Sequence, residues 1–179
     1  MSGHGAFETT FQFQIHGSPT NEWSDGLTFV LAANPTGLGS TSNPGGDIGY
    51  SGVTNSVAVI FDTWRFENTV AVVTDGNLAL VNSPLNWANP YGKTGCVTNG
   101  PEPALCLADG DVWTAKIKYD GVYLNVWVED GSNATDHVIN NYKIAISSFL
   151  GTQTPYVGFT AGTGGGYADY DLLNWKMVY

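Results

Sequence analysis

Apolar and polar residues alternate along much of this chain with a period of two. The alternation is longest between Phe7 and Ile15, which indicates a strand with one buried and one solvent-exposed face. Gly26–Ala32 predicts a more fully buried strand, and Ser56–Trp64 predicts the most apolar strand of the chain. Shorter strands are predicted at Thr69–Val73, Val112–Tyr119, Val122–Glu129, Tyr142–Ile146, Tyr156–Ala161 and Asp171–Tyr179. We predict no helix.

Turn-forming residues separate these strands. Asp120 and Gly121 predict a two-residue hairpin turn, and glycine-rich loops are predicted at Asn34–Gly49 and Gly162–Tyr170. The segment Asn82–Asp109 is also predicted to be loop-rich. About ten short strands without helices predict an all-β fold, in which two antiparallel sheets pack face to face. We expect residues 1–179 to form a single domain.

The amino-acid composition limits which kinds of molecule this chain is expected to bind. The chain has 6 Lys and Arg against 16 Asp and Glu, a formal net charge of -10, which argues against nucleic acid and anionic membrane surfaces. No apolar run approaches the ~18 residues of a membrane span, so membrane insertion is not expected. A hydrophobic content of 42% and an aromatic content of 13% exclude a disordered chain.

Two cysteines, Cys96 and Cys106, flank a short segment that contains Asn99, Pro101 and Pro103. These residues bend the chain back on itself, so we expect a disulfide, which would stabilise the loop by about 2–3 kcal/mol. Such bonds persist outside the reducing cytosol, which favours a secreted or cell-surface location. Two buried free thiols are the alternative.

Five segments, in order along the chain, resemble the L-type (legume-type) lectins. They read FETTFQFQI, SDGLTFVLA, GGDIGYSGV, SVAVIFDTW and VGFTAGTGGGYADYDLLNW. The resemblance is closest to the microbial members and next to the calcium-dependent animal cargo receptors. It implies a concanavalin-like jelly roll that binds carbohydrate without catalysis, with glycans or glycoproteins as partners.

The resemblance also implies a sugar site built from loops. In the family, an Asp from an (A/S)DG turn, often after a cis peptide bond, accepts hydrogen bonds from sugar hydroxyls; Asp25 matches it. A glycine that donates a backbone N–H matches Gly46, Asn68 is a candidate for the family's sugar-binding Asn, and Trp64 offers a stacking surface. A loop near the C-terminus selects the sugar and matches Gly164, Gly165, Gly166 and Tyr167. Taken singly, each segment also fits an ordinary turn.

The metal site implied by the family is altered in this sequence. Ile60 replaces the Glu that binds a transition metal, so no transition metal is expected. The candidate Ca2+ ligands are Asp62, the carbonyl of Trp64, Glu67 and Asn68, with water completing the shell. The alternative is a lost site, in which Asp62 bonds to backbone groups instead.

The sequence offers little for catalysis. Glycoside hydrolases of similar architecture need two carboxylates on one face, and Asp62 has Ile60 and Trp64 at the neighbouring positions of its strand. We therefore expect no enzymatic activity.

The start of the sequence also departs from the family, whose additional first strands would pair with the closing strand. The segment that begins at Phe7 has only six residues before it. An open sheet edge would result. Either neighbouring copies or other chains complete the sheet by strand addition, or the fold is trimmed, or this chain is part of a longer protein. The alternative function is therefore a structural or adhesive module of an extracellular multi-subunit assembly, with a degenerate sugar site.

Overall fold

A computed structural model describes residues 5–17, 24–39, 45–64, 69–79, 87–88, 107–130, 136–152 and 154–179. The strands are β1 (Phe7–His16), β2 (Gly26–Ala32), β3 (Ser56–Asp62), β4 (Thr69–Thr74), β5 (Trp87–Ala88), β6 (Val112–Tyr119), β7 (Tyr123–Asp130), β8 (Asp136–Lys143), β9 (Tyr156–Gly162) and β10 (Asp169–Val178). A five-residue helix, α1 (Ile146–Leu150), precedes β9.

The strands form two five-stranded antiparallel sheets, which confirms the predicted β-sandwich. The back sheet has the order β10-β1-β6-β7-β8, and the front sheet has the order β5-β4-β3-β2-β9. In β1 the buried and half-buried positions alternate over all ten residues, as its sequence pattern predicts.

Aromatic rings fill the space between the sheets. Phe11 of the back sheet lies 5.7 to 6.0 Å, centroid to centroid, from the rings of Phe13, Phe29 and Phe61, and 4.9 Å from the ring of Phe159. Several of these contacts are tilted or edge-to-face, the arrangements that aromatic pairs prefer. This cluster fixes the front sheet, whose loops carry the site, against the back sheet.

A second apolar cluster covers the outer face of the front sheet. Its members come from β2, β3, β4 and the segment 45–55, and are Val30, Ala32, Ile48, Tyr50, Val53, Ala58, Ile60, Ala71 and Val73. The central front strands are therefore buried on both faces, which explains their continuous apolar sequences. The same packing holds the segment with Gly45 and Gly46 at the site: Ile48 is buried, and its carbonyl accepts a hydrogen bond from Thr160 Oγ1 at 2.7 Å.

The prediction for Tyr142–Ile146 was wrong. The strand β8 ends at Lys143, and Ile146 begins α1, which closes on Gly151 with a left-handed φ of 62°. β8 is an edge strand of mixed polarity, Asn141 in it has a φ of 52°, and its register against β7 is irregular. An edge strand of this kind carries little periodic signal, and a helix of five residues carries none.

Three smaller corrections concern strand ends and a loop. The predicted two-residue turn is a three-residue connection from Asp120 to Val122, because Asp120 Oδ1 accepts the N–H groups of Val122 at 2.8 Å and Tyr123 at 2.7 Å. β3 ends at Asp62 rather than at Trp64. The loop-rich segment Asn82–Asp109 contains the short strand β5, which pairs with β4.

Candidate functional site

Asp25 is fixed by its backbone at one end of the front sheet. The Ser24–Asp25 peptide bond is cis. The N–H of Asp25 donates to the carbonyl of Gly162 at 2.7 Å, and the carbonyl of Asp25 accepts the N–H of Thr63 at 3.0 Å. Asp25 therefore ties together the end of β9, the start of β2 and the residue that follows β3.

The carboxylate of Asp25 is buried without full compensation. The residue is 4% exposed, and its Oδ2 has no hydrogen-bond partner within the described part of the chain. Burial raises the pKa of this carboxyl above its ordinary value of 3.8, because removal from water disfavours the charged form. A buried oxygen without a partner is costly to folding and is a natural acceptor for a ligand hydroxyl.

The backbones of Gly45 and Gly164 lie close to each other and to the Asp25 carboxylate, and a side chain on either residue would prevent this packing. A Cβ built on Gly45 would lie 2.8 Å from Asp25 Oδ2 and 2.8 Å from the Cα of Gly164. A Cβ on Gly164 would lie 3.0 Å from the Cα of Gly45 and 3.2 Å from Asp25 Oδ2. Gly26 is required as well, because its φ is 152° and a Cβ there would lie 2.5 Å from the carbonyl oxygen of Phe61. The turn Ser24-Asp25-Gly26 and both glycine loops thus depend on one another.

An open depression of about 340 Å³ lies beside the Asp25 carboxylate and the two glycine loops. Two carboxylates, four glycines, one aliphatic side chain and one tryptophan line it: Asp25, Asp62, Gly45, Gly46, Gly164, Gly165, Ile48 and Trp64. Carboxylates and peptide groups are hydrogen-bonding groups, whereas the face of the Trp64 indole ring is apolar. The depression therefore combines acceptors with one aromatic surface, a set suited to a small polyhydroxylated ligand.

Asp62 is half-buried and closes a local turn. Its Oδ1 accepts the N–H of Trp64 at 2.9 Å, which is the backbone bonding that the lost-site alternative predicts for this residue. Ile60 is buried in the second apolar cluster. Within the described residues no group of three or more His, Cys, Asp and Glu side chains is placed to hold a metal ion.

The partly buried Tyr170 lies close to both carboxylates. Burial is the main cause that raises the pKa of Tyr170, and the negative charges of Asp25 and Asp62 add to it. The Tyr170 hydroxyl and the hydroxyl of Thr63 are both buried. Sequence reasoning did not single out either residue for this site. Tyr170 was expected to end the glycine-rich loop Gly162–Tyr170, and no local motif indicates that it lies near Asp25.

Nearly the whole chain matches a known family. The model of the legume lectin domain matches residues 2–178. The chain belongs to the legume lectin domain family. The predicted family and the predicted β-sandwich are thereby confirmed, and the chain is a lectin-type domain.

Curated relatives and a solved structure agree with this assignment. Agglutinin-2 of Cladrastis kentukea is 27% identical over 187 residues, which cover 96% of this chain and 57% of that protein. The L-type lectin-domain containing receptor kinase S.7 of Oryza sativa subsp. japonica is 28% identical over 178 residues, which cover 96% of this chain and 24% of the kinase. The structure of lectin II from Ulex europaeus superposes with a TM-score of 0.69 at 20% identity, over 96% of this chain and 71% of that one. This lectin domain thus spans little more than half of the agglutinin and a quarter of the kinase.

The structure gathers most of the sequence-predicted sugar ligands at one place in the lectin domain. Asp25, Gly46, Trp64, Gly164 and Gly165 all line the depression. Their role in sugar binding stays a prediction, as does the role of the remaining residues below.

Two of the predicted residues do not line the depression. Gly166 is buried, and its carbonyl accepts the N–H of Gly164 at 2.9 Å, which closes the hairpin tip. Tyr167 is 47% exposed and does not line the depression. Four other predicted residues lie outside the described part of the chain: the candidate ligands Glu67 and Asn68, and the cysteines Cys96 and Cys106.

Proposed function

We propose that this lectin domain binds a single pyranose unit of a glycan or glycoprotein in the depression around Asp25. The observation that carries the proposal is the buried Oδ2 of Asp25, which has no partner within the described residues and lies under two closely approaching glycine loops. A sugar hydroxyl that donates to this oxygen would replace the missing hydrogen bond. Hydrogen bonds to an ionised acceptor are shorter and about twice as strong as neutral ones.

The other walls of the depression supply the remaining contacts in this proposal. Gly46 and Gly165 offer backbone N–H groups at positions where no side chain stands in the way of the ligand. Trp64 offers an apolar surface for the C–H face of the sugar ring. Galactose is the first sugar to test, because a structural neighbour, lectin UEA-II, has been solved in complex with it.

Calcium is not part of the proposed binding mode. The described residues supply one candidate carboxylate ligand, Asp62, and its Oδ1 already accepts the N–H of Trp64. Calcium takes six to eight oxygens, so the described donors alone do not fit a calcium site. Glu67 and Asn68 lie outside these residues and remain predicted ligands. We therefore infer no step through a metal ion.

We also propose that the domain binds its glycan without hydrolysing it. Asp25 and Asp62 both line the depression, so the proposal needs a direct test. Intact glycan after long incubation is expected, and release of a reducing sugar would contradict a purely binding role.

We propose a secreted or cell-surface location for this domain. The predicted Cys96–Cys106 disulfide supports it, because such bonds persist in oxidising compartments. Within the described residues no helix has the length and apolar character needed to cross a membrane.

A glycan array tests the proposal with wild-type protein, Asp25→Asn and Asp111→Asn. Asp25→Asn keeps the side-chain shape and removes the charge at the proposed acceptor, whereas Asp111 is exposed and lies away from the depression. We expect wild type and Asp111→Asn to bind the same glycans, and Asp25→Asn to bind at least tenfold more weakly. Equal binding by all three proteins would refute the proposed site.

The array is repeated with a chelator in place of calcium. Binding that survives the chelator is the expected result. Loss of binding in the chelator would instead assign a calcium site to Asp62 together with residues 67 and 68.

A further inference from the structure

The charged side chains on the described walls of the depression are all acidic. Asp25 and Asp62 line it together with glycines, Ile48 and Trp64, and none of its described wall residues is Lys, Arg or His. A carboxylate only accepts hydrogen bonds and is negative when ionised. A ligand that enters the depression therefore meets two acidic groups and, among the described residues, no basic one.

The basic side chains that the structure describes belong to the other sheet. Of the 6 Lys and Arg in the chain, the described ones all lie on the back-sheet strands β6, β8 and β10. They are Lys116, Lys118, Lys143 and Lys176. None of them lines the depression, and Lys116 pairs with Glu8 at 3.0 Å. Arg65 and Lys93 lie outside the described residues.

Asp25 is the carboxylate for which a positively charged partner would matter most. The residue is 4% exposed, and its Oδ2 has no hydrogen-bond partner within the described part of the chain. Burying a carboxylate without a partner is costly, and a cation that donates a hydrogen bond to it favours its charged form. Because Asp25 is part of the wall of the depression, a ligand can supply that cation.

Two further side chains of the wall favour a cation at the same place. Asp62 Oδ1 accepts the N–H of Trp64 at 2.9 Å, a bond that leaves the negative charge of the carboxylate in place. The face of an indole ring attracts cations through its quadrupole, and tryptophan does so best among the aromatic side chains. Two carboxylates and one indole around a small depression are thus suited to a positively charged group.

We propose that the preferred ligand of the depression is a pyranose that carries a protonated amino group, which donates to Asp25. This inference rests on the proposed sugar site and names the class of sugar that the site selects. An ammonium group is close in size to the hydroxyl that it replaces, but it is charged and has three donors. A hydrogen bond between two charged groups is stronger than one from a neutral hydroxyl. An acidic sugar would meet two like charges and is rejected.

Sugars that differ at a single position test the preference. Isothermal titration in a chelator compares galactosamine and 6-amino-6-deoxygalactose with galactose, in which a hydroxyl replaces the amine. The corresponding pairs of glucose and mannose cover other ring stereochemistries, and galacturonic acid supplies the opposite charge. Near pH ~7, where such amines are largely protonated, we expect an amino sugar to bind at least about tenfold more tightly than its hydroxyl counterpart. Galacturonic acid should bind most weakly.

Salt and charge variants separate the electrostatic attraction from other contacts. The affinity ratio of amino sugar to hydroxyl sugar should fall several-fold between about 0.05 and 0.5 M salt, because screening weakens interactions between charges. Asp62→Asn removes one of the two carboxylates and should lower the same ratio by about threefold. Asp111→Asn is the matched control, because it removes an exposed carboxylate away from the depression and should keep the wild-type ratio. Circular dichroism checks the fold of each variant.

The outcomes distinguish this inference from the proposed function. Equal affinity for amino and hydroxyl sugars, with Asp25→Asn weakening both, would overturn the inference and leave the sugar site standing. A ratio that ignores both salt and Asp62→Asn would show that charge does not set the preference. Tightest binding of galacturonic acid would also overturn it, and would point to a basic side chain at the site, with Arg65 as the first candidate. A folded protein that binds none of these sugars would overturn the inference and the proposed function together.

Discussion

The closest packing in the site is the approach of Gly45 to Gly164 above Asp25, and it makes a sharp prediction for Gly45→Ala. The added methyl would lie 2.8 Å from the Cα of Gly164 and 2.8 Å from Asp25 Oδ2. Both distances are shorter than any ordinary carbon contact, so the two loops must separate or the carboxylate must move. The backbone of Gly45 has no positive φ, so the effect is steric and not conformational.

The size of the effect follows from this crowding. Inserting a methyl group into closely packed structure typically costs about 1–3 kcal/mol. For a chain of this length each kcal/mol lowers the melting temperature by roughly 2–4 °C. The methyl also displaces the proposed acceptor or covers it, so glycan affinity should fall by about tenfold or more. Gly164→Ala should behave in the same way but more mildly, because its nearest contacts are 3.0 and 3.2 Å.

Gly165→Ala is the matched control for stability, since Gly165 lines the same depression and a Cβ there meets nothing within 4 Å. It should leave the melting temperature unchanged or raise it slightly, because alanine restricts the unfolded chain. Differential scanning fluorimetry measures stability, and isothermal titration with the best glycan of the array measures affinity. If Gly45→Ala and Gly165→Ala give the same melting temperature, the proposed packing of the glycine loops over Asp25 is wrong.

Three further predictions follow from other parts of the structure. Burial raises the pKa of Asp25 above 3.8, so on acidification this carboxyl is protonated in the folded protein at a higher pH than in the unfolded chain. Glycan binding should then weaken, because the charged acceptor is lost. The destabilisation caused by the buried charge should be relieved at the same time. The melting-temperature difference between Asp25→Asn and wild type should therefore shrink as the pH falls, and a difference that is constant with pH would contradict the raised pKa. Phe11→Ala should cost about 3–5 kcal/mol in urea unfolding, because Phe11 contacts four rings between the sheets, whereas Val122→Ala at an exposed turn should change little. Calcium should leave the melting temperature of wild type and Asp62→Asn equally unchanged, and a calcium-dependent rise in wild type alone would place a metal site at Asp62.

Most of the fold was predictable because buried and exposed positions of most strands follow the alternation of apolar and polar residues, or their continuous apolar runs. β2 and β6 have the predicted bounds, and β1 and β9 each extend one residue further. The failures fall where burial does not follow a simple period. β8 is an irregular edge strand of mixed polarity, and α1 is too short to show a helical repeat.

The candidate site was predictable only in part, because its assembly depends on close backbone contacts between distant loops. The family motifs pointed to Asp25 and to Gly46. The glycine packed closely against the Asp25 carboxylate is instead Gly45, which precedes Gly46 in the chain. Two adjacent glycines are equivalent in sequence, and only the packing against Gly164 distinguishes them. Tyr170 was missed for a related reason, since its nearness to Asp25 arises from the pairing of β10 within the folded sandwich and not from any local motif.

The central claim is that the depression around Asp25 is the sugar site, and an NMR titration tests it most directly. Uniformly ¹⁵N-labelled protein is titrated with the strongest glycan of the array, and amide shifts are followed residue by residue. The proposal predicts that the largest shifts fall on Gly45, Gly46, Gly164 and Gly165 and on the indole N–H of Trp64. In Asp25→Asn the same shifts should need at least tenfold more glycan. Large shifts confined to β10 or to the outer face of the back sheet, with these glycines unaffected, would contradict the claim.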